Sequence, residues 1–137
     1  AFLAQFPVVC FTLALLTDVA FWRTGNLMWQ NFSSWLLLAG LVGGGLAVVA
    51  GIVEVVSRVR TRYGARDGGG LGWPAALGGL AVLALALVNS FVHAGDGWTA
   101  VVPGGLLLSA ATVLLMIATA WLERLLAPHP AGVRSHA

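Results

Sequence analysis

Three polar residues within largely apolar stretches of the sequence could do acid-base or binding chemistry: Asp18, Asn89 and His93. Asn89 and His93 are four residues apart, which places them on one face of a helix. A carboxylate beside His93 would favour the charged imidazolium and could form a proton relay or hold a polar ligand. The alternative is an interfacial pair, or side chains that reach to water, because Asp18 and His93 are close to the ends of their stretches.

Two glutamates near the ends of other apolar stretches are further candidates, Glu54 and Glu123. Arg58 follows Glu54 by four residues, a spacing that favours an ion pair within a helix. Arg124 is adjacent to Glu123. Two interpretations stay open: each acid is neutralised by a nearby arginine, or the acids form a polar vestibule for a lipid headgroup, a quinone or a proton.

Several kinds of site lack the residues that they need. Haem usually takes two axial ligands from different helices, and His93 is the one histidine within the apolar stretches. Haem or quinone binding would therefore need ligands from outside this chain. Metal sites and nucleophilic triads lack partners for the same reason, and a single cysteine, Cys10, excludes an intrachain disulfide. We therefore favour a role without catalysis.

The composition places these residues in a membrane protein. Of the 137 residues, 59% are hydrophobic and 9% are charged, whereas charged residues make up roughly 25% of soluble domains. Four stretches reach the length of about 20 apolar residues that crossing the hydrocarbon core requires. They cover about 2–22, 34–56, 73–93 and 103–125. We predict an all-α fold, a single domain of four transmembrane helices over 1–137 with a short tail at 126–137.

The arginines predict the orientation of these helices. Arginines in short loops stay on the cytoplasmic side, and the loop between the second and third stretches holds four of them, whereas the first loop holds one and the third none. Both termini are therefore predicted inside. The tryptophans then fall in two interfacial belts, as is usual in membrane proteins. They are Trp22, Trp29, Trp35 and Trp98 at the outer interface, and Trp73 and Trp121 at the inner one.

Small residues recur at helical spacing along the second stretch and lead to an acid: Gly40, Gly44, Ala47, Gly51 and then Glu54. Steps of four and three residues put them on one face of a helix, where small side chains let two membrane helices approach closely. We predict a helix-packing face, used either within the chain or between copies. Comparable stripes mark the other helices: Pro7, Phe11, Ala14 and Asp18; Gly79, Val82, Ala86, Asn89 and His93; Gly105, Ser109, Thr112, Met116, Thr119 and Glu123.

Over most of its length the chain resembles a family of bacterial membrane proteins known as domain of unknown function 2231. The resemblance rests on short motifs: Phe6 with Pro7, Asp18, the run Gly51, Ile52, Val53 and Glu54, Gly72 with Trp73, and Asn89. It implies a four-helix membrane protein, and relatives associated with cytochrome c domains imply a respiratory setting.

The chain also departs from the pattern of this family. Members often have a histidine and a proline just before the first apolar run, which here would precede Ala1, and we expect that residues do precede it. They also have a histidine and an asparagine where this chain has Ala75 and Gly79. A Gly-Gly pattern with an acid follows the last tryptophan in the family, whereas Glu123 and Arg124 follow Trp121 here. If those histidines carry a family function, this member lacks it.

We therefore predict a noncatalytic membrane subunit that anchors or stabilises a larger complex concerned with electron transfer. One alternative is a small carrier or proton pathway that uses Asp18, Asn89 and His93 at the outer side and Glu54 at the inner side. Another is a haem- or quinone-binding electron-transfer protein. The predicted partners are the lipid bilayer and other membrane subunits or a second copy, in a bacterial cytoplasmic membrane. The net charge of +2 is too small to suggest nucleic acid.

Overall fold

The computed structural model describes residues 2–61, 72–95 and 98–127, with side chains throughout these ranges except at 2–4 and 58–61. It contains four long helices: α1 (Phe2–Thr24), α2 (Leu27–Thr61), α3 (Trp73–His93) and α4 (Gly104–Leu126). A 3₁₀ turn, Trp98–Ala100, precedes α4. All four helices are long and apolar enough to cross a membrane, and the described ranges hold no strand. The predicted all-α fold of four spans is confirmed.

The connection between α1 and α2 is much shorter than the sequence suggested. We predicted a polar loop over 23–33, but only Gly25 and Asn26 lie outside the helices. Gly25 adopts a left-handed φ of 65° and its N–H donates to the Phe21 carbonyl at 2.7 Å, which ends α1. The Asn26 side-chain oxygen accepts from the Met28 N–H at 3.0 Å and caps α2. The polar residues that follow therefore form the first turns of α2.

The helices run alternately up and down, each packed against its neighbours in a ring. α1 packs on α2 and α4, and α3 packs on α4 and α2. We call the end with the α1–α2 connection the Gly25 end, and the opposite end, where α2 finishes, the Thr61 end. The last turns of α1 and α3 and the first turns of α2 and α4 lie together at the Gly25 end. Residues distant in sequence can therefore meet there.

The interior contains an apolar core formed by the predicted stripes. Its buried members are Phe11, Ala14, Leu37, Val82 and Ala86. All four residues of the α1 stripe are buried. The α3 stripe is buried from Val82 to His93, whereas Gly79 is exposed. In α4 the stripe is buried at Gly105, Ser109 and Thr112, and Glu123 at its end is exposed.

The small-residue face of α2 packs within the chain over half of its predicted length. A side chain at Gly40 would overlap the ring of Phe11, and one at Gly44 would overlap Leu83 of α3. Ala47 is half-buried. A Cβ at Gly51 would meet nothing within 4 Å, so packing at Gly51 between copies stays a prediction.

The length of α2 explains why Gly51 lies open. α2 has 35 residues, whereas the other helices have 21 to 23. A rise of about 1.5 Å per residue makes α2 about 52 Å long, against about 32–35 Å for its neighbours. Because α2 begins level with the end of α1, its last three turns extend past the start of α1 at the Thr61 end. Glu54 is exposed in this extension.

Adjacent glycines of α2 allow a matched test of this packing. Gly44→Leu should lower the free energy of unfolding by about 1–3 kcal/mol, because the added side chain must displace Leu83 from a filled contact. Gly45→Leu is the control, since nothing lies within 4 Å of a Cβ at Gly45. Both substitutions change helix propensity equally. The melting temperatures of the two variants in mild detergent give the comparison, and equal values would contradict the packing of Gly44 on α3.

Candidate functional site

Every helix contributes a polar side chain to one buried group near the Gly25 end. We call the following five residues the polar cluster: Asp18 of α1, Ser33 of α2, Asn89 and His93 of α3, and Ser109 of α4. The positions follow from the stripes, which turn these residues inward along with the apolar core. Asp18 is six residues from the end of α1, so it lies about 9 Å below that end.

The Asp18 carboxylate is the centre of the polar cluster. Its Oδ1 accepts a hydrogen bond from the Ser33 hydroxyl at 2.5 Å and lies 2.8 Å from Nε2 of His93. Its Oδ2 accepts from the Ser109 hydroxyl at 2.5 Å. A carboxylate at membrane depth is costly unless donors replace its water. Here three other helices each supply one donor.

Asn89 extends the cluster by one step and leaves one atom unsatisfied. Its Nδ2 donates to the Ser109 oxygen at 2.7 Å. Because Ser109 has a single hydroxyl proton, which it gives to Asp18, its oxygen must accept from Asn89, and this fixes the orientation of the amide. Among the residues that the structure describes, Asn89 Oδ1 is buried without a hydrogen-bond partner. Such an orphaned acceptor costs about 1–3 kcal/mol.

The imidazole of His93 is held on both sides. Its Nδ1 lies 3.0 Å from the backbone oxygen of Asn89, one turn earlier in α3. A backbone carbonyl can only accept, so Nδ1 carries a hydrogen. The ring also lies against the backbone of α4, since a Cβ at Gly105 would be 2.6 Å from Cε1 of His93. The absence of a side chain at Gly105 therefore makes room for the ring.

The presence of serine, histidine and aspartate does not create a nucleophilic triad. In a triad the base uses one ring nitrogen for the serine and the other for the acid. Here Ser33 Oγ and Asp18 Oδ1 both approach Nε2 of His93, at 3.2 and 2.8 Å. The Ser33 hydroxyl donates to the carboxylate instead. The arrangement joins side chains of different helices and lacks the geometry of a triad.

Apolar residues enclose the polar cluster. Asp18 is 0% exposed and His93 3% exposed, so the alternative in which these side chains reach to water is wrong. Toward the Gly25 end lie Phe21 and Val101, both buried, and the Phe21 ring packs on Trp98 with centroids 5.2 Å apart. Toward the Thr61 end lies the apolar core. Phe21 and the residues before α4 cover a group that the sequence had placed at an interface.

The structure brings some of the sequence candidates together and separates others. Asp18, Asn89 and His93 are in one cluster, as their depth in the predicted helices suggested. Glu54 is exposed on the extension of α2, far from that cluster, and Glu123 is exposed at the end of α4. The Arg58 side chain lies outside the described side chains, so its predicted pairing with Glu54 stays a prediction.

Two members of the polar cluster were missed as site residues, Ser33 and Ser109. Ser33 fell in the predicted loop, although the α2 stripe continues backward to it in regular steps through Leu37 and Gly40. Ser109 was on the predicted α4 stripe but had no assigned role. Extending the α2 stripe to its first polar residue would have found Ser33, and considering the hydroxyl of Ser109 as a hydrogen-bond donor would have found the other.

Four membrane-length apolar helices around a buried polar cluster define a helical integral membrane protein, whose exposed apolar side chains contact the lipid bilayer. The chain belongs to the family described as predicted membrane protein DUF2231, whose family model matches residues 1–131. The resemblance seen in the sequence is thereby confirmed. No curated protein and no solved structure matches the chain.

A double-mutant cycle tests the contact between Asp18 and His93. Asp18→Leu and His93→Leu should each lower the free energy of unfolding by about 3–5 kcal/mol, because each leaves buried polar partners unpaired. The double variant should lose much less than the sum, since it removes both groups. Thermal unfolding in detergent measures the three effects, with Thr12→Val on the exposed face of α1 as the control. Simple additivity would contradict the contact.

Two neighbouring glycines test the placement of the His93 ring. Gly105→Ala should lower the free energy of unfolding by about 1–3 kcal/mol, because the added Cβ meets His93 and the Ala100 carbonyl oxygen, which is 2.8 Å away on the backbone. Gly104→Ala is the matched control, since its nearest neighbour would be Val92 at 3.9 Å. Comparison of the two melting temperatures measures the effect. A stable Gly105→Ala protein would show that the ring lies elsewhere.

Proposed function

We propose that this protein is a noncatalytic subunit of the bacterial cytoplasmic membrane, which anchors or stabilises a larger complex concerned with electron transfer. One observation carries the proposal: both carboxylate oxygens of Asp18 and both ring nitrogens of His93 are occupied by partners within the chain. The reactive atoms are therefore already satisfied. The polar cluster joins the four helices through these contacts and leaves neither the Asp18 carboxylate nor the His93 ring free for a substrate.

The outer surface supports a role in assembly. The extension of α2 carries exposed apolar side chains, with Ile52, Val53, Val55 and Val56 each about half exposed. The membrane-length segment Leu27–Ser57 has 31 residues, more than the roughly 20 that a bilayer core requires. A neighbouring membrane subunit packed along this extension would cover the excess. The electron-transfer setting rests on the resemblance to relatives associated with cytochrome c domains.

The carrier or proton pathway receives less support. It needs a polar route from the polar cluster to Glu54 near the Thr61 end. Between them lies the apolar core, in which Phe11, Leu37 and Val82 fill the interior. A haem- or quinone-binding role would need ligands from outside this chain, because iron ligation by His93 would displace one of its two hydrogen-bond partners.

Isolation of the complex tests the proposed role. The protein, tagged and expressed from its own gene, is extracted in mild detergent and examined by native gel electrophoresis, mass spectrometry and absorption spectroscopy. We expect a defined complex several-fold larger than the 14.2 kDa chain that contains redox subunits. Migration of the chain alone would contradict the proposal, as would a haem spectrum or an extractable quinone in the isolated chain.

Bulky substitutions on the lipid-facing surfaces of two helices test which helix contacts the proposed partner subunit. Gly45→Trp on α2 and Ala84→Trp on α3 both point away from the bundle. A subunit should leave its complex when the face that contacts the partner is enlarged, while the isolated bundle keeps its melting temperature. If α2 is the contacting helix, Gly45→Trp releases the chain and Ala84→Trp does not.

A further inference from the structure

We infer that Asp18 and His93 form a buried proton-binding site, which holds one exchangeable proton between Oδ1 of Asp18 and Nε2 of His93. The acceptors around the His93 ring determine where its hydrogens lie. Nδ1 of His93 faces the Asn89 carbonyl oxygen and must carry a hydrogen. The remaining nitrogen and the carboxylate oxygen lie 2.8 Å apart, a hydrogen-bond distance that requires one proton between them.

The two ways of placing that proton leave the same total charge. With the proton on Nε2, an imidazolium faces a carboxylate. With the proton on Oδ1, a neutral imidazole accepts from a carboxylic acid. Both arrangements hold one proton and have no net charge, so the pair acts as a single coupled site and not as two independent groups.

No other described group can balance a charge at this site. On α2 and α4 the facing side chains are Ser33 and Ser109, which do not titrate. Ala100 and Val101, which cover the cluster before α4, carry no charge. Arg23 of α1 is exposed. Asp96 lies outside the described residues, and its neutral variant is therefore included in the test.

Changing the proton count therefore places a lone charge in the interior. A second proton makes Asp18 neutral and leaves the imidazolium unpaired. Removal of the proton leaves the carboxylate unpaired. Either charge is buried among apolar residues, where an uncompensated ion strongly destabilises a protein. The folded bundle should thus be most stable with one proton bound and should lose stability toward both acid and alkaline pH.

Isosteric variants separate the two halves of this profile. In Asp18→Asn the cluster is neutral until His93 takes up a proton, so stability should fall only toward acid. In His93→Gln the carboxylate is alone until it is protonated, so stability should fall only toward alkali. The wild type should fall on both sides, and Asp96→Asn should match it. Melting temperatures across the pH range in detergent supply the profiles.

A nitrogen-15 measurement keeps the inference testable if a variant does not fold. His129→Gln/His136→Gln leaves His93 as the single histidine. In this variant the Nε2 signal of His93 and the carboxyl carbon signal of Asp18 should change together in the same pH steps. Independent titration of the two signals, or the same pH profile in wild type, Asp18→Asn and His93→Gln, would overturn the one-proton site. The proposed role as a subunit does not depend on either outcome.

Discussion

The burial of the Asp18 carboxylate is the constraint on which the rest of the bundle depends. A carboxylate in a membrane interior has no water to solvate it, and a transmembrane helix has no free backbone donors. The donors must therefore come from other helices, and Ser33, His93 and Ser109 supply them. Lipid removes much of the hydrophobic drive for helix association. Hydrogen bonds to the shared Asp18 carboxylate therefore favour one register of the four helices.

Two glycines help to keep the helices in this register. The short turn at Gly25 brings the start of α2 level with the end of α1, so Ser33 reaches the depth of Asp18. The missing side chain at Gly105 lets α4 approach the His93 ring. At the Thr61 end α2 continues about three turns past the start of α1. The bundle is thus specified at one end by hydrogen bonds, and its opposite end offers apolar surface to lipid.

The sequence predicted the spans and much of the cluster because both depend on local patterns. Long apolar runs give the four helices, and helical spacing puts Asn89 and His93 on the face that meets Asp18. The predicted start of α2 was wrong because the polar residues after Asn26 resemble a loop in sequence. In the structure, Gly25 and the Asn26 cap turn the chain within two residues. The spacing of Gly51 shows which face of α2 it occupies but not where the neighbouring helix ends, and a Cβ there would meet nothing within 4 Å. Burial of Asp18 beneath Phe21 depends on contacts between distant segments, which no local pattern contains.

The most direct test of the central claim is a distance measurement in lipid bilayers. Solid-state NMR can measure the dipolar coupling between nitrogen-15 at Nε2 of His93 and carbon-13 at Cγ of Asp18. The Nε2 to Oδ1 distance of 2.8 Å places these two nuclei within about 4 Å of each other once the length of the carbon–oxygen bond is added. We expect a coupling that corresponds to this distance, lost in Asp18→Asn/His93→Gln. No measurable coupling in the wild-type protein would contradict a bundle organised around the Asp18 carboxylate.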